Sequence, residues 1–223
     1  MRWTHAQVKA HVQPMKLYFS PMACSLASRI TIYEAQASAE PAIEFVAVDL
    51  EQQRTATGVD YRSIHALGQV PALEFADGEL LTENAAILQY FAEEFRSARL
   101  APEDVRGRTR LRQWLSFIGT ELHKLVYQPL LSRSAPEAVK AYSLAAAPIR
   151  LSWLSAQLGS RPFLLDEFSV ADAYLFTVLT WSAVTPIDLK PWPTLVNYLS
   201  ELKARPAVQR ALTEELTLYR RAS

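Results

Sequence analysis

Met15-Lys16-Leu17-Tyr18-Phe19 opens the patterned part of the chain: a short aromatic-rich run closed by Ser20-Pro21, which predicts a strand entering a loop. From Ser25 the chain passes through Leu26, Ile30, Ile32 and Tyr33 to Ala37 without Gly or Pro, a helical stretch. Pro41 then precedes an apolar run, Ile43 to Val48, that predicts a strand buried on both faces. Strand, helix and strand in this order predict a right-handed crossover between parallel strands. Asp49 to Gly58 is polar and loop-like, Asp60 to Ala66 reads as a turn or short helix, and Gly68-Gln69-Val70-Pro71 leads into a third strand, Ala72 to Phe75. Asp77-Gly78 marks a hairpin into Leu80-Leu81. Thr82 then takes the N-cap position of a helix in which Ala86, Ile87, Tyr90, Phe91 and Phe95 recur at helical spacing.

Beyond Arg96 no segment reads as a strand. Ala101-Pro102-Glu103 is a linker, and the stripes Leu111, Trp114, Leu115, Ile118, Leu122 and Leu151, Leu154, Leu158 have the three-four spacing of helices with one buried face. Ser169-Val170-Ala171-Asp172 opens the most apolar helix, with Ser169 as N-cap and Asp172 as the acidic partner of a capping box, and Pro186, Pro191 and Pro193 follow its end. These patterns divide the chain into residues 1–14, 15–96, a linker at 97–103, and a helical part at 104–223.

Composition narrows the function rather than the fold. A length of 223 residues fits two small domains, and a chain that is half apolar with only 6 glycines is neither disordered nor collagen-like. Lys+Arg and Asp+Glu balance at 23 each, which leaves no basic surplus to neutralise a phosphate backbone, so nucleic acid is not an expected partner. The single cysteine, Cys24, excludes an intramolecular disulfide and any Cys-based metal cluster and points to a reducing compartment. The longest apolar stretch, Ala173 to Val184, is interrupted by Thr177, Thr180 and Ser182 and is far shorter than the roughly 20 residues of a membrane span. Met1 to Pro14 lacks the apolar run of a secretory signal and reads as a loose extension or a misassigned start ahead of Met15.

Four places carry candidate chemistry. Cys24 lies at or near the N-terminus of the first helix, where unpaired N–H groups and the helix dipole favour a thiolate; the alternative is a small, inert core residue. A cis Val70-Pro71 bond would aim the Val70 N–H and C=O at a peptide-like ligand; the alternative is an ordinary trans proline at a strand start. Glu83-Asn84, at a helix start, offers N–H groups to a carboxylate and a carboxylate to an ammonium group, or simply caps the helix. In Glu121-Leu122-His123-Lys124 adjacent side chains point about 100° apart, so one of His123 and Lys124 faces a cleft while the other faces solvent, or both belong to a solvated surface.

Taken in order, Met-Lys-Leu-Tyr-Phe-Ser-Pro-Met-Ala-Cys-Ser-Leu-Ala-Ser (15–28), Gly-Gln-Val-Pro-Ala-Leu (68–73), Leu-Leu-Thr-Glu-Asn-Ala-Ala-Ile-Leu-Gln-Tyr (80–90), Thr-Glu-Leu-His-Lys (120–124) and Phe-Ser-Val-Ala-Asp-Ala-Tyr-Leu-Phe-Thr-Val-Leu (168–179) resemble the bacterial beta-class glutathione S-transferases. The resemblance implies an α/β thioredoxin-like N-terminal domain followed by an all-α helical C-terminal domain, in a cytoplasmic homodimer. It implies glutathione as co-substrate, no metal, and a small hydrophobic electrophile as the second substrate. Carried over by residue, it places Cys24 at the glutathione sulfur, with Ser25 and His123 as further catalytic donors. Gln69, Val70 and Pro71 would pair with the cysteinyl part of the tripeptide and Glu83 and Asn84 would hold its γ-glutamyl end. Thr120 and Glu121 would lie near that end, reaching across the dimer, and Lys124 would line the site beside His123. The Ser169/Asp172 box would serve folding.

The chain departs from the family pattern at Phe19 for tyrosine, Asn84 for serine or glycine, Ser116 for asparagine and Gln53, next to Arg54, for lysine; residues 37–42 look longer than usual. The departures at Gln53 and Arg54 bear on how the glycyl carboxylate would be held. Three activities are consistent with these residues. One is conjugation by the glutathione thiolate, one is thiol transfer through a mixed disulfide at Cys24, and one is a non-catalytic binding protein on the same fold.

Overall fold

The computed structural model describes residues 15–36 and 43–222. The expectations for residues 1–14 and 37–42 lie outside them.

Five strands form one mixed sheet. The aromatic-rich opening run is β1 (Met15–Phe19), followed by α1 (Leu26–Ala35), β2 (Ile43–Asp49), β3 (Arg54–Thr55), β4 (Ala72–Glu74), β5 (Leu80–Thr82) and α2 (Asn84–Glu94). β1 pairs in parallel with β2, as the strand-helix-strand reading predicts, and antiparallel with β4, giving the order β3-β2-β1-β4-β5. Because side chains alternate across a strand, Leu17 and its partner Leu73 join one core with Ile30, Ile87 and Phe91, while Tyr18 and its partner Ala72 join a second with Val48, Tyr61 and Val70. Both faces of the central strand are therefore buried. Removing a fully buried leucine such as Leu17 costs about 2–5 kcal/mol.

Two local expectations are corrected, at Arg54–Thr55 and at Thr82, and the turn read over Asp60 to Ala66 is present. Arg54–Thr55, within the segment read as a loop, pairs with Val48–Asp49 and closes one sheet edge. Residues 61–63 are a single 3₁₀ turn, capped by the Asp60 carboxylate on the Arg62 N–H. Thr82 ends β5 and does not cap α2. Glu83 takes that position with φ +68 and ψ 116, and its side chain makes no capping bond.

The regular elements that follow are helices, among them α3 (Val105–Phe117), α4 (Gln128–Leu131), α5 (Glu137–Leu158), α6 (Val170–Thr180), α7 (Pro193–Lys203) and α8 (Pro206–Ala222). Between α3 and α4 the helix continues as a π-helix over Ile118–Tyr127. α6 is buried on all sides from Val170 to Leu179 and packs against α1, α3 and the π-helix. Its start is locked as the capping-box pattern predicts: the Ser169 N–H and hydroxyl donate to Asp172 Oδ2, and Leu164 N–H and the Tyr198 hydroxyl donate to Oδ1. α8 packs along α1. There Arg29, 4% exposed, donates to Glu215, which is fully buried, at 2.9 Å and to Glu214 at 3.1 Å, and its guanidinium lies over the Phe19 and Phe45 rings. Among the described residues no helix is long and apolar enough to cross a membrane.

Candidate active site

A cavity of about 210 Å³ opens where the end of the Gly68–Pro71 loop, the start of α2 and the π-helix converge. It brings together Cys24, Gln69, Val70, Pro71, Glu83, Asn84, Thr120, His123 and Lys124, which the sequence had marked in four separate stretches. Ser116, at one of the departures from the family pattern, also lines it. A larger cleft of about 760 Å³ at the linker holds none of them, and several of its charges pair with one another, Glu93 with Arg96 and Arg108, and Arg99 with Glu167.

The wall contributed by the sheet is set by backbone geometry. Val70-Pro71 is a cis peptide, and the Val70 carbonyl accepts a hydrogen bond from the Cys24 thiol at 3.1 Å. The loop before it is braced from below. Tyr61 Oη donates to the Gln69 carbonyl at 2.8 Å, and the Gln53 amide donates to the carbonyls of Leu50 and Gly68. Gly68, at φ +61, leaves no room above Gln53, since a Cβ there would sit 2.0 Å from Gln53 Oε1. Gln53 thus supports the loop from beneath, and Arg54 is turned to the Gly58 carbonyl.

Cys24 stands just ahead of α1, and the N–H groups of Cys24 and Ser25, together with Lys124, favour its thiolate as the helix-terminus argument requires. Burial outweighs them and pushes the thiol up to about 12. Burial thus opposes the activation that the helix terminus favours, and the thiol donates to the Val70 carbonyl. Ser25 does not reach the cavity. Its hydroxyl closes a loop with the backbone of Ser20, accepting from Ser20 N–H and donating to Ser20 O, both at 3.2 Å. Glu121 is likewise outside the lining and is held by Arg150 of α5 at 2.8 Å.

Asn84 is buried, and its side chain faces the scaffold: the amide donates to the Cys24 carbonyl at 3.3 Å and accepts from Ser28 at 3.2 Å. What the α2 terminus offers the cavity is its first N–H groups and the exposed Glu83, held at a positive φ that side chains rarely adopt.

The helical wall carries the imidazole. His123 is buried, with its Nδ1 2.7 Å from Tyr174 Oη and its ring 5.0 Å from the Trp181 ring. Burial, aided by Lys124, lowers its pKa to about 3, so the ring is neutral. Burial raises the Tyr174 phenol far above its ordinary range and keeps it protonated. The hydroxyl proton therefore points to His123 Nδ1, and the ring's own proton belongs on Nε2. Lys124, the next residue, is exposed at the cavity rim.

Tyr174 and His65, which also line the cavity, were not singled out from the sequence. Tyr174 lies inside the most apolar helix, where only its hydroxyl distinguishes it from core. His65 follows the short turn at Tyr61 and has no pattern around it.

Residues 13–93 match the family described as glutathione S-transferase, N-terminal domain, and residues 151–210 that described as glutathione S-transferase, C-terminal domain. The chain is 38% identical over 203 residues to glutathione S-transferase GstA of Escherichia coli O157:H7, covering 90% of this chain and 98% of that one. Among solved structures it resembles a sphingomonad glutathione S-transferase complexed with glutathione (TM-score 0.83, 40% identity, 90% and 98% covered). It resembles the bacterial beta-class glutathione S-transferase of Sphingomonas chungbukensis to the same degree (TM-score 0.83, 40% identity, 90% and 98% covered). With both halves of the chain matched and the cavity lying between them, the chain belongs to the glutathione S-transferase family.

Proposed function

We propose that this enzyme binds glutathione in the Cys24–His123 cavity and transfers its thiolate sulfur to a small hydrophobic electrophile. The observation that carries the reading is the convergence, in one cavity, of a peptide-edge backbone at Val70, a helix N-terminus at Glu83–Asn84 and a neutral imidazole at His123. A tripeptide with a thiol at its middle residue meets each in turn. The Val70 main chain pairs with the cysteinyl residue, the α2 terminus takes the γ-glutamyl carboxylate, and Glu83 takes the ammonium group. The sphingomonad relative complexed with glutathione supports the same ligand here.

The chemistry asks the protein for a stabilised thiolate. Glutathione loses its thiol proton to solvent, and the N–H groups ahead of α1 and the His123 Nε2–H face the sulfur. The sulfur then attacks the electrophilic carbon: for a chloronitroarene the C–S bond forms, the C–Cl bond breaks and chloride leaves. Cys24, protonated and bonded to Val70, packs against the bound sulfur and is not the nucleophile. Thr120 and Lys124 line the outer wall. A homodimer in the cytoplasm completes the proposal, with Glu121 placed near the partner by the family resemblance.

The test is glutathione binding by calorimetry and turnover of a chloronitroarene by wild type, Cys24→Ala and His123→Ala. Binding with turnover that survives Cys24→Ala and falls at least ten-fold in His123→Ala is the expected result. Absence of binding at millimolar glutathione overturns it.

A further inference from the structure

Met22, two residues before Cys24, sits at φ +63, a left-handed conformation that a side chain with a Cβ rarely adopts. Both of its peptide groups are held from the helical half of the chain. Its N–H donates to Glu215 Oε2 of α8 at 2.7 Å, and its carbonyl accepts from the indole N–H of Trp181, just past α6, at 3.0 Å. Glu215 is fully buried, and its other oxygen is fixed by Arg29 of α1 at 2.9 Å. The following turn is short: Ala23 N–H bonds back to Ser20 O, Leu26 N–H to Ala23 O, and Ser25 closes on Ser20. No slack separates Met22 from the thiol. Trp181 also packs on the His123 ring, so one indole touches both the loop ahead of Cys24 and the imidazole.

We propose that Glu215 and Trp181 are positioning residues for the thiol end of the site. They hold Met22 left-handed from two sides and so fix Cys24 and the first N–H groups of α1, which makes assembly of the glutathione site depend on docked α8. This rests on the glutathione-transferase reading for its kinetic arm only. Glu215 touches no residue that lines the cavity except through Met22 and α1, so it acts at a distance. Loss of one such hydrogen bond without loss of packing is expected to weaken glutathione binding about five-fold.

The experiment compares wild type, Trp181→Phe and Glu215→Gln. Steady-state kinetics gives KM for glutathione and for a chloronitroarene separately. Alkylation of Cys24 by iodoacetamide is followed without glutathione, so that it reads the loop whether or not the transferase reading holds. Both variants are expected to raise the glutathione KM several-fold with the chloronitroarene KM unchanged, and to speed Cys24 alkylation at least ten-fold while circular dichroism stays that of the folded protein. An effect in Trp181→Phe alone overturns the proposal, because it would act through the His123 contact. So does a parallel rise of both KM values, or unchanged alkylation in both variants. If Glu215→Gln does not fold, the separation of the two KM values and the alkylation rate in Trp181→Phe decide. Wild type that fails to bind glutathione, with alkylation accelerated in the variants, would sink the transferase reading and leave the clamp standing.

Discussion

The Tyr174 hydroxyl lies 2.7 Å from His123 Nδ1, with both residues buried. The contact joins α6, the most buried helix, to the helix that carries the imidazole. A buried ring whose Nδ1 is already bonded presents Nε2–H to the cavity, a neutral donor aimed where a thiolate would rest. Tyr174→Phe frees the tautomer and is expected to lower kcat for chloronitroarene conjugation about ten-fold while leaving the fold intact. An unchanged kcat would assign the hydroxyl to packing alone.

The same burial makes His123 a pH liability. The folded chain holds the ring neutral down to about pH 3, whereas an unfolded chain protonates it near 6.5. The unfolded state therefore binds more protons as the pH falls, and stability fully present above 6.5 is lost progressively below it. Between pH 6.5 and 5 this amounts to about 2 kcal/mol. Denaturant titrations of wild type and His123→Gln at the two pH values should differ by that loss, and equal losses would mean the ring is not held neutral.

Cys24 should be a sluggish thiol. With its pKa pushed up to about 12, the thiolate fraction at pH 8 is on the order of a thousand times below that of free cysteine. Iodoacetamide is expected to alkylate it more slowly by a comparable factor. Alkylation at the rate of free cysteine would restore the activated thiol that the helix terminus alone suggests.

Breaking the Arg29–Glu215 pair leaves a buried carboxylate without its cation. Arg29→Met keeps apolar cover on Phe19 and Phe45 and should still cost about 3–5 kcal/mol in denaturant unfolding at pH 7. Adding Glu215→Met should recover much of it. A single variant as stable as wild type would mean that solvent reaches the pair.

Gly68→Ala tests the loop beneath the cavity. A methyl group there meets Gln53 at 2.0 Å and faces a φ of +61, so a loss of about 1 kcal/mol or more is expected, with weaker glutathione binding as Val70 shifts. Melting and calorimetry read the two effects. No change in either would mark the loop as soft.

What could be read from the sequence followed the range of the signal. The β1 run, the hairpin and the helical stripes are local, and they placed every strand but the two-residue β3. The cavity residues came in short blocks, so Val70-Pro71 and His123-Lys124 were found together with their neighbours. Side-chain direction is the part that the sequence leaves open: the Ser25 hydroxyl, beside Cys24, turns to Ser20, and Glu121, near His123, pairs with Arg150. Adjacency in sequence does not choose between two faces. Thr82 failed as a cap because β5 continues through it, and Glu83 pays for the tight corner in backbone strain. Arg29 and Glu215 are 186 positions apart, and nothing near either announces the other.

The wide helix over Ile118–Tyr127 gives the chemistry a dependence on counting as well as on identity. Its i→i+5 bonds store extra residues within an otherwise continuous rod, and Gly119, Thr120, His123 and Lys124 face the cavity only in that phase. Deleting one residue, Gly119 for instance, lets the segment tighten toward an ordinary α-helix. The flanking turns at Trp114 and Leu130 can stay in place while the imidazole rotates away from Tyr174. An enzyme built this way is retuned by length: a single codon lost or gained in one helix re-aims its donor while every residue type at the site is retained.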